Sequence, residues 1–67
     1  REPEHSDLFH AVQKLPIRYR EVVHLYYYED YSIREIAELL KISETAIQTR
    51  LMRARRKLKT TLKEAWK

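Results

Sequence analysis

Between positions 45 and 59 one stretch of the chain carries side chains suited to hydrogen bonding with base edges and phosphates. Thr45, Thr49, Met52 and Arg56 fall together when successive residues are turned by ~100°, with Gln48, Arg53 and Lys59 flanking them. The opposite side of the same helix is narrow and apolar: Ile47, Leu51, Ala54 and Leu58. A helix with one apolar face and one face of Thr, Gln, Arg and Lys suits the major groove of duplex DNA, which admits one helix and offers donors and acceptors to such side chains. A solvated surface helix would carry the same residue types, so the context of the stretch has to decide between the two.

Charge supplies part of that context. The 67 residues carry 14 Lys and Arg against 10 Asp and Glu, a net charge of +4. They are not evenly spread. Residues 1–46 hold six bases and nine acids, a balance of −3, whereas residues 47–67 hold eight bases and only Glu64 as acid, a balance of +7. A cationic end on an acidic body is the electrostatic pattern of a polyanion binder, DNA or RNA, although a solvated basic helix face produces it too.

Composition excludes other chemistries. With no Gly there is no glycine-rich phosphate loop, and with no Cys there is neither a disulfide nor a thiolate metal site, which fits a reducing cytoplasm. His5, His10 and His24 share no metal-ligand spacing, and the carboxylates are scattered along polar faces. Ser6, Ser32 and Ser43 each precede a helical pattern and read as caps rather than nucleophiles. Neither an enzyme nor a cofactor or metal site is expected. No apolar run approaches the ~20 residues of a membrane span, and no membrane partner is expected. The chain opens on Arg1, as a fragment of a longer protein would.

These residues need elements to position them, and the chain reads as all-α: four short helices containing a helix-turn-helix, without a wing. Residues 1–5 read as the end of a linker and residues 6–67 as the domain. Ser6 caps a first helix whose apolar residues are Leu8, Ala11, Val12 and Leu15. Pro16 ends it and sits in the first turn of the next, which runs from about 17 to 28 with Tyr19, Val22, Val23 and Tyr26 as its stripe. Three consecutive tyrosines, Tyr26 to Tyr28, cannot all face inward, so at least one is exposed. Glu29 and Asp30 mark a turn. Ser32 and Glu35 have the spacing of a capping box, opening a third helix with Ile33, Ile36, Ala37 and Leu40 buried. Ser43 caps the fourth and longest helix about three residues later, the layout of a helix-turn-helix. With that short capped helix and tight turn in front of it, the polar face of the fourth helix reads as a DNA-binding face.

Three stretches, in order and at matching spacing, carry a family resemblance over about residues 8–58. Leu15-Pro16-Ile17-Arg18-Tyr19-Arg20-Glu21-Val22-Val23 resembles the opening of the −35-binding domains of sigma factors. Tyr31-Ser32-Ile33-Arg34-Glu35-Ile36-Ala37-Glu38-Leu39-Leu40 resembles the first helix of their helix-turn-helix. The stretch from 42 to 58, ending in Arg53-Ala54-Arg55-Arg56-Lys57-Leu58, resembles their recognition helix. The chain is thereby similar to the C-terminal promoter-reading domain, region four, of extracytoplasmic-function (ECF) bacterial sigma factors. The turn departs from the common pattern, with Lys41 where helix-turn-helix proteins often carry glycine; a left-handed residue there costs about 1 kcal/mol.

The resemblance implies sequence-specific binding of the −35 promoter element in transcription initiation. It also implies docking to the flap of the RNA polymerase β subunit by the acidic front half, and masking by an anti-sigma factor. It places Thr45, Gln48, Thr49, Met52 and Arg53 toward the bases. Gln48 suits adenine, Arg53 suits guanine or a phosphate, the threonines suit phosphate or a thymine methyl, and Met52 packs against a base edge. Arg34 and Ser43, near helix N-termini, are placed for a phosphate. Arg55 and Arg56 read as phosphate binders and Tyr26 as core packing.

Two other readings remain at this stage. The output domain of a LuxR-type response regulator shares four helices and a similar string, but prefers Leu-Thr where this chain has Leu15-Pro16 and lacks the late Arg53-Ala54-Arg55-Arg56 run. A protein-interaction module would use the acidic front half and the tyrosine cluster to hold a partner helix. Salt separates that module from a DNA binder, because only DNA binding falls steeply with ionic strength.

Overall fold

The computed structural model describes residues 5–65, with side-chain placement given for residues 8–63. The backbone forms α1 (His5–Gln13), α2 (Ile17–Val23), a π-helix (His24–Tyr28), α3 (Ile33–Leu40) and α4 (Glu44–Ala65), and no strand among the described residues. The linker expected at residues 1–5 lies outside this range except for His5, which already belongs to α1. Ser6, expected to cap the first helix, instead lies within α1 as its second residue.

Every apolar stripe read from the spacing turns inward. Ala11, Val12 and Leu15 of α1 and its exit, Tyr19, Val22 and Val23 of α2, Ile36 and Ala37 of α3, and Ile47, Leu51 and Ala54 of α4 are buried. Leu8, Tyr26, Ile33, Leu40 and Leu58 pack against them from the rim. α4 is the common wall, in contact with α1, α2 and α3 alike. Each large apolar side chain removed from water contributes roughly 1.5–3 kcal/mol. In a domain of this size a few such positions decide whether it folds.

Pro16 takes an extended conformation (φ −53°, ψ 148°) just before α2 rather than inside its first turn, and its carbonyl accepts from the amides of Tyr19 and Arg20. The second helix ends near Tyr28 as expected, but its last five residues form a π-helix, with the Glu29 amide donating to the His24 carbonyl at 3.1 Å. The wider turn lets both Leu25 and Tyr26 lean on the core while Tyr27 and Tyr28 stay exposed. Apolar spacing carries no signal of this change of pitch. Asp30 follows with φ 58°, a left-handed conformation that Asp tolerates better than most residues.

The helix-turn-helix is held by side-chain caps. The Glu35 amide donates to the Ser32 hydroxyl (3.0 Å) and the Ser32 amide to the Glu35 carboxylate (2.8 Å), completing the capping box. The Ser32 amide first, and a hydrogen bond from the Ser32 hydroxyl second, hold the Glu35 carboxyl below the usual glutamate pKa. α3 ends in Lys41 at φ 60°, ψ 41°, and the Ile42 amide donates back to the Ala37 carbonyl at 3.1 Å, the six-to-one bond of a helix C-cap. The turn therefore keeps the left-handed geometry that glycine usually supplies and bears its cost at a lysine. The Ala46 amide donates to the Ser43 hydroxyl at 3.1 Å, capping α4.

Two stability outcomes follow from this packing. Leu51 is 1% exposed, so Leu51→Ala lowers the unfolding free energy by roughly 2–5 kcal/mol; an unchanged thermal melt would show that α4 is packed in another phase. Lys41→Gly removes the left-handed penalty but adds chain entropy to the unfolded state, so chemical denaturation reads a gain of up to about 1 kcal/mol. A loss of stability there would contradict the turn geometry.

Candidate nucleic-acid interface

Because Ile47, Leu51 and Ala54 face the core, the rest of the rotation of α4 faces solvent. Thr45, Gln48, Met52, Arg53, Arg55, Arg56 and Lys59 are exposed and Thr49 is half-buried. Met52 is 43% exposed, an apolar side chain the fold itself does not use. Thr45, Thr49, Met52 and Arg56 form one strip along the helix, continued by Lys59, and all five share a rigid element anchored by its buried side. Twenty-two residues make α4 about 33 Å long, so its N-terminal turns can lie in a groove while its C-terminal turns pass the phosphate backbone.

Arg34 and Ser43 come together across the turn, lining one shallow cleft with Lys41, Glu38 and Glu44. The Arg34 Nε lies 3.5 Å from the Glu38 carboxylate on a fully solvated face, a pairing too weak to hold Arg34 against a phosphate. The Ser43 hydroxyl accepts from the Ala46 amide and retains its own proton to donate.

The arginines of α4 differ in their surroundings. Arg53 acts on the hydroxyl of Tyr19, a core side chain of α2 that is only 5% exposed. The Arg18 guanidinium sits over the same ring, 4.8 Å from its centroid. A hydrogen bond from Arg53 first and from Arg18 second holds the Tyr19 hydroxyl below the ordinary tyrosine pKa, against the opposing effect of burial. Arg53 keeps donors to spare, because a guanidinium carries five. Arg55 instead donates from Nε to the Tyr27 hydroxyl at 2.7 Å. Arg56 lines a cleft with Lys14, Lys57 and Thr60, adding the end of α1 to the basic surface.

Sequence spacing assigned Tyr19 to the core and did not reveal its hydroxyl's contact with Arg53, 34 positions away. The available signal was chemical: a phenol at the edge of a core requires a polar partner. Lys14 was likewise missed, since nothing in the local pattern brings it near Arg56.

The sequence that builds this helix-turn-helix matches a known family. The family described as Sigma-70, region 4 matches residues 5–58. The chain belongs to the sigma-70 region 4 family. Its sequence is 39% identical over 49 residues to the RNA polymerase sigma factor SigV of Bacillus subtilis (strain 168), a match covering 73% of this chain and 30% of that protein. The chain thus spans about a third of the length of this relative. The family match disfavours the response-regulator reading.

The pairing of Tyr19 with Arg53 is open to direct measurement. Followed by tyrosine ring ¹³C shifts over alkaline pH, Tyr19 ionises below the ordinary tyrosine range, and Arg53→Ala moves the transition upward. A transition indifferent to Arg53→Ala would place that guanidinium elsewhere.

Proposed function

We propose that this chain is the part of an ECF sigma factor that recognises the −35 promoter element and so directs RNA polymerase to initiate transcription in the cytoplasm. The observation that carries this reading is the exposed strip of α4, set opposite the buried Ile47, Leu51 and Ala54 and built on a capped helix-turn-helix. Thr45, Gln48, Thr49, Met52 and Arg53 face the bases, while Arg56, Lys59, Arg34 and Ser43 hold phosphates. Gln48 and Arg53 lie in the N-terminal half of α4, the end that enters the groove floor in helix-turn-helix docking. Gln48 pairs with adenine and Arg53 with guanine or phosphate.

The front half serves protein partners. Away from Arg34 and Ser43 its acidic balance opposes phosphate, and it exposes apolar side chains that the core does not need: Ile17 is 69% and Leu39 54% exposed. These two border one cleft with Leu25 and Leu40, a surface fit for the polymerase β flap or, when the factor is held inactive, for an anti-sigma protein.

Base reading and phosphate holding separate on this helix. In competition binding across a library of −35 sequences, with the domain tethered to core polymerase, Gln48→Ala or Arg53→Ala changes the preferred sequence. Each lost bidentate contact is worth about 1–3 kcal/mol of discrimination. Arg56→Ala or Lys59→Ala weakens all sequences alike and flattens the salt dependence by about one unit per contact. If Arg56→Ala alters base preference while Gln48→Ala and Arg53→Ala change only affinity, α4 is docked in another register.

A further inference from the structure

Arg55 and Arg56 are neighbours in a basic run, but a helix sends them ~100° apart. Arg56 projects about 180° from Ile47, onto the strip that carries Thr45 and Thr49. Arg55 projects only about 80° from Ile47, toward the π-helix. There its Nε donates to the Tyr27 hydroxyl at 2.7 Å, and its guanidinium carbon stands 5.8 Å from the centroid of the Tyr27 ring. Tyr27 in turn meets the Tyr26 ring edge-on, at 4.9 Å and 87°, and Tyr26 packs against the core. Beneath the pair lies an apolar cleft whose walls include Val12, Val23 and Leu58.

We infer that Arg55 is a positioning residue: it fastens the π-helix to α4 through Tyr27 and does not hold DNA phosphate. The charge-assisted hydrogen bond and the ring contact act on one guanidinium together, and both orient it along the flank of α4, away from the strip. The arrangement accounts for the exposed Tyr27, 49% accessible yet anchored. The inference on DNA rests on the −35-binding reading; the fastening itself does not.

Two measurements on the 67-residue chain decide it. Binding to a −35 duplex at several salt concentrations gives a slope that Arg56→Ala flattens by about one unit. Arg55→Ala and Tyr27→Phe leave that slope as in the unaltered chain. In the free chain, the Arg55 Nε–H resonance is protected from solvent exchange, and Tyr27→Phe, which keeps the ring and the fold, removes that protection. A slope flattened by Arg55→Ala as much as by Arg56→Ala would overturn the inference, as would an Nε–H exchange rate indifferent to Tyr27→Phe. Absence of salt-dependent binding by the unaltered chain would instead count against the −35 reading, and the exchange measurement would still decide the fastening.

Discussion

The burial of Ile47, Leu51 and Ala54 against Val22 and Ile36 is the contact on which the rest of the molecule depends. A helix that buries one narrow stripe has its rotation set, and with it the direction of every other side chain it carries. The exposed strip is therefore a consequence of the core: Thr45, Thr49, Met52 and Arg56 point outward because Ile47 and Leu51 point inward. Rotated by one residue, about 100°, α4 would bury part of the strip and present alanine and leucine to solvent. Recognition and folding are for this reason hard to separate in so small a domain, where few buried side chains carry the stability.

The helix-turn-helix adds a second constraint, on the angle at which α4 leaves α3. The three residues from Lys41 to Ser43 must reverse the chain, close one helix and open the next. Side-chain oxygens of Ser32, Glu35 and Ser43 satisfy amide donors that the helices leave open, and the Ile42 amide closes the end of α3. A left-handed residue is needed between them, and in a chain with no glycine that place falls to Lys41. The turn keeps its geometry at a modest energetic cost because the apolar contacts of Ile36, Ala37 and Ile47 on either side leave it little freedom.

Charge is divided by location more than by residue type. The basic excess lies almost wholly on α4, yet its arginines stand in different surroundings. Arg53 acts on the Tyr19 hydroxyl, Arg55 is bonded to Tyr27, and Arg56 shares a cleft with Lys14 and Lys57. A guanidinium oriented by an aromatic partner loses less freedom when it binds.

The fold class, the four helices, the capping box and the phase of α4 were legible in the sequence because each depends on short-range spacing: apolar residues three and four apart, and a serine three residues before a helix amide. The family was legible for the same reason, since its motifs are local strings. Residue type and helical phase also sufficed to outline the exposed strip. What only the tertiary structure decided is which side chains distant in sequence come near each other: Arg55 bonded to Tyr27, Lys14 and Arg56 on one cleft, and Arg53 acting on the Tyr19 hydroxyl. Those meetings depend on how α1, α2 and the π-helix lie across α4, and on a change of pitch at His24–Tyr28 that hydrophobic periodicity does not encode. A run of basic residues reads as one feature along the chain; packing gives its members different neighbours.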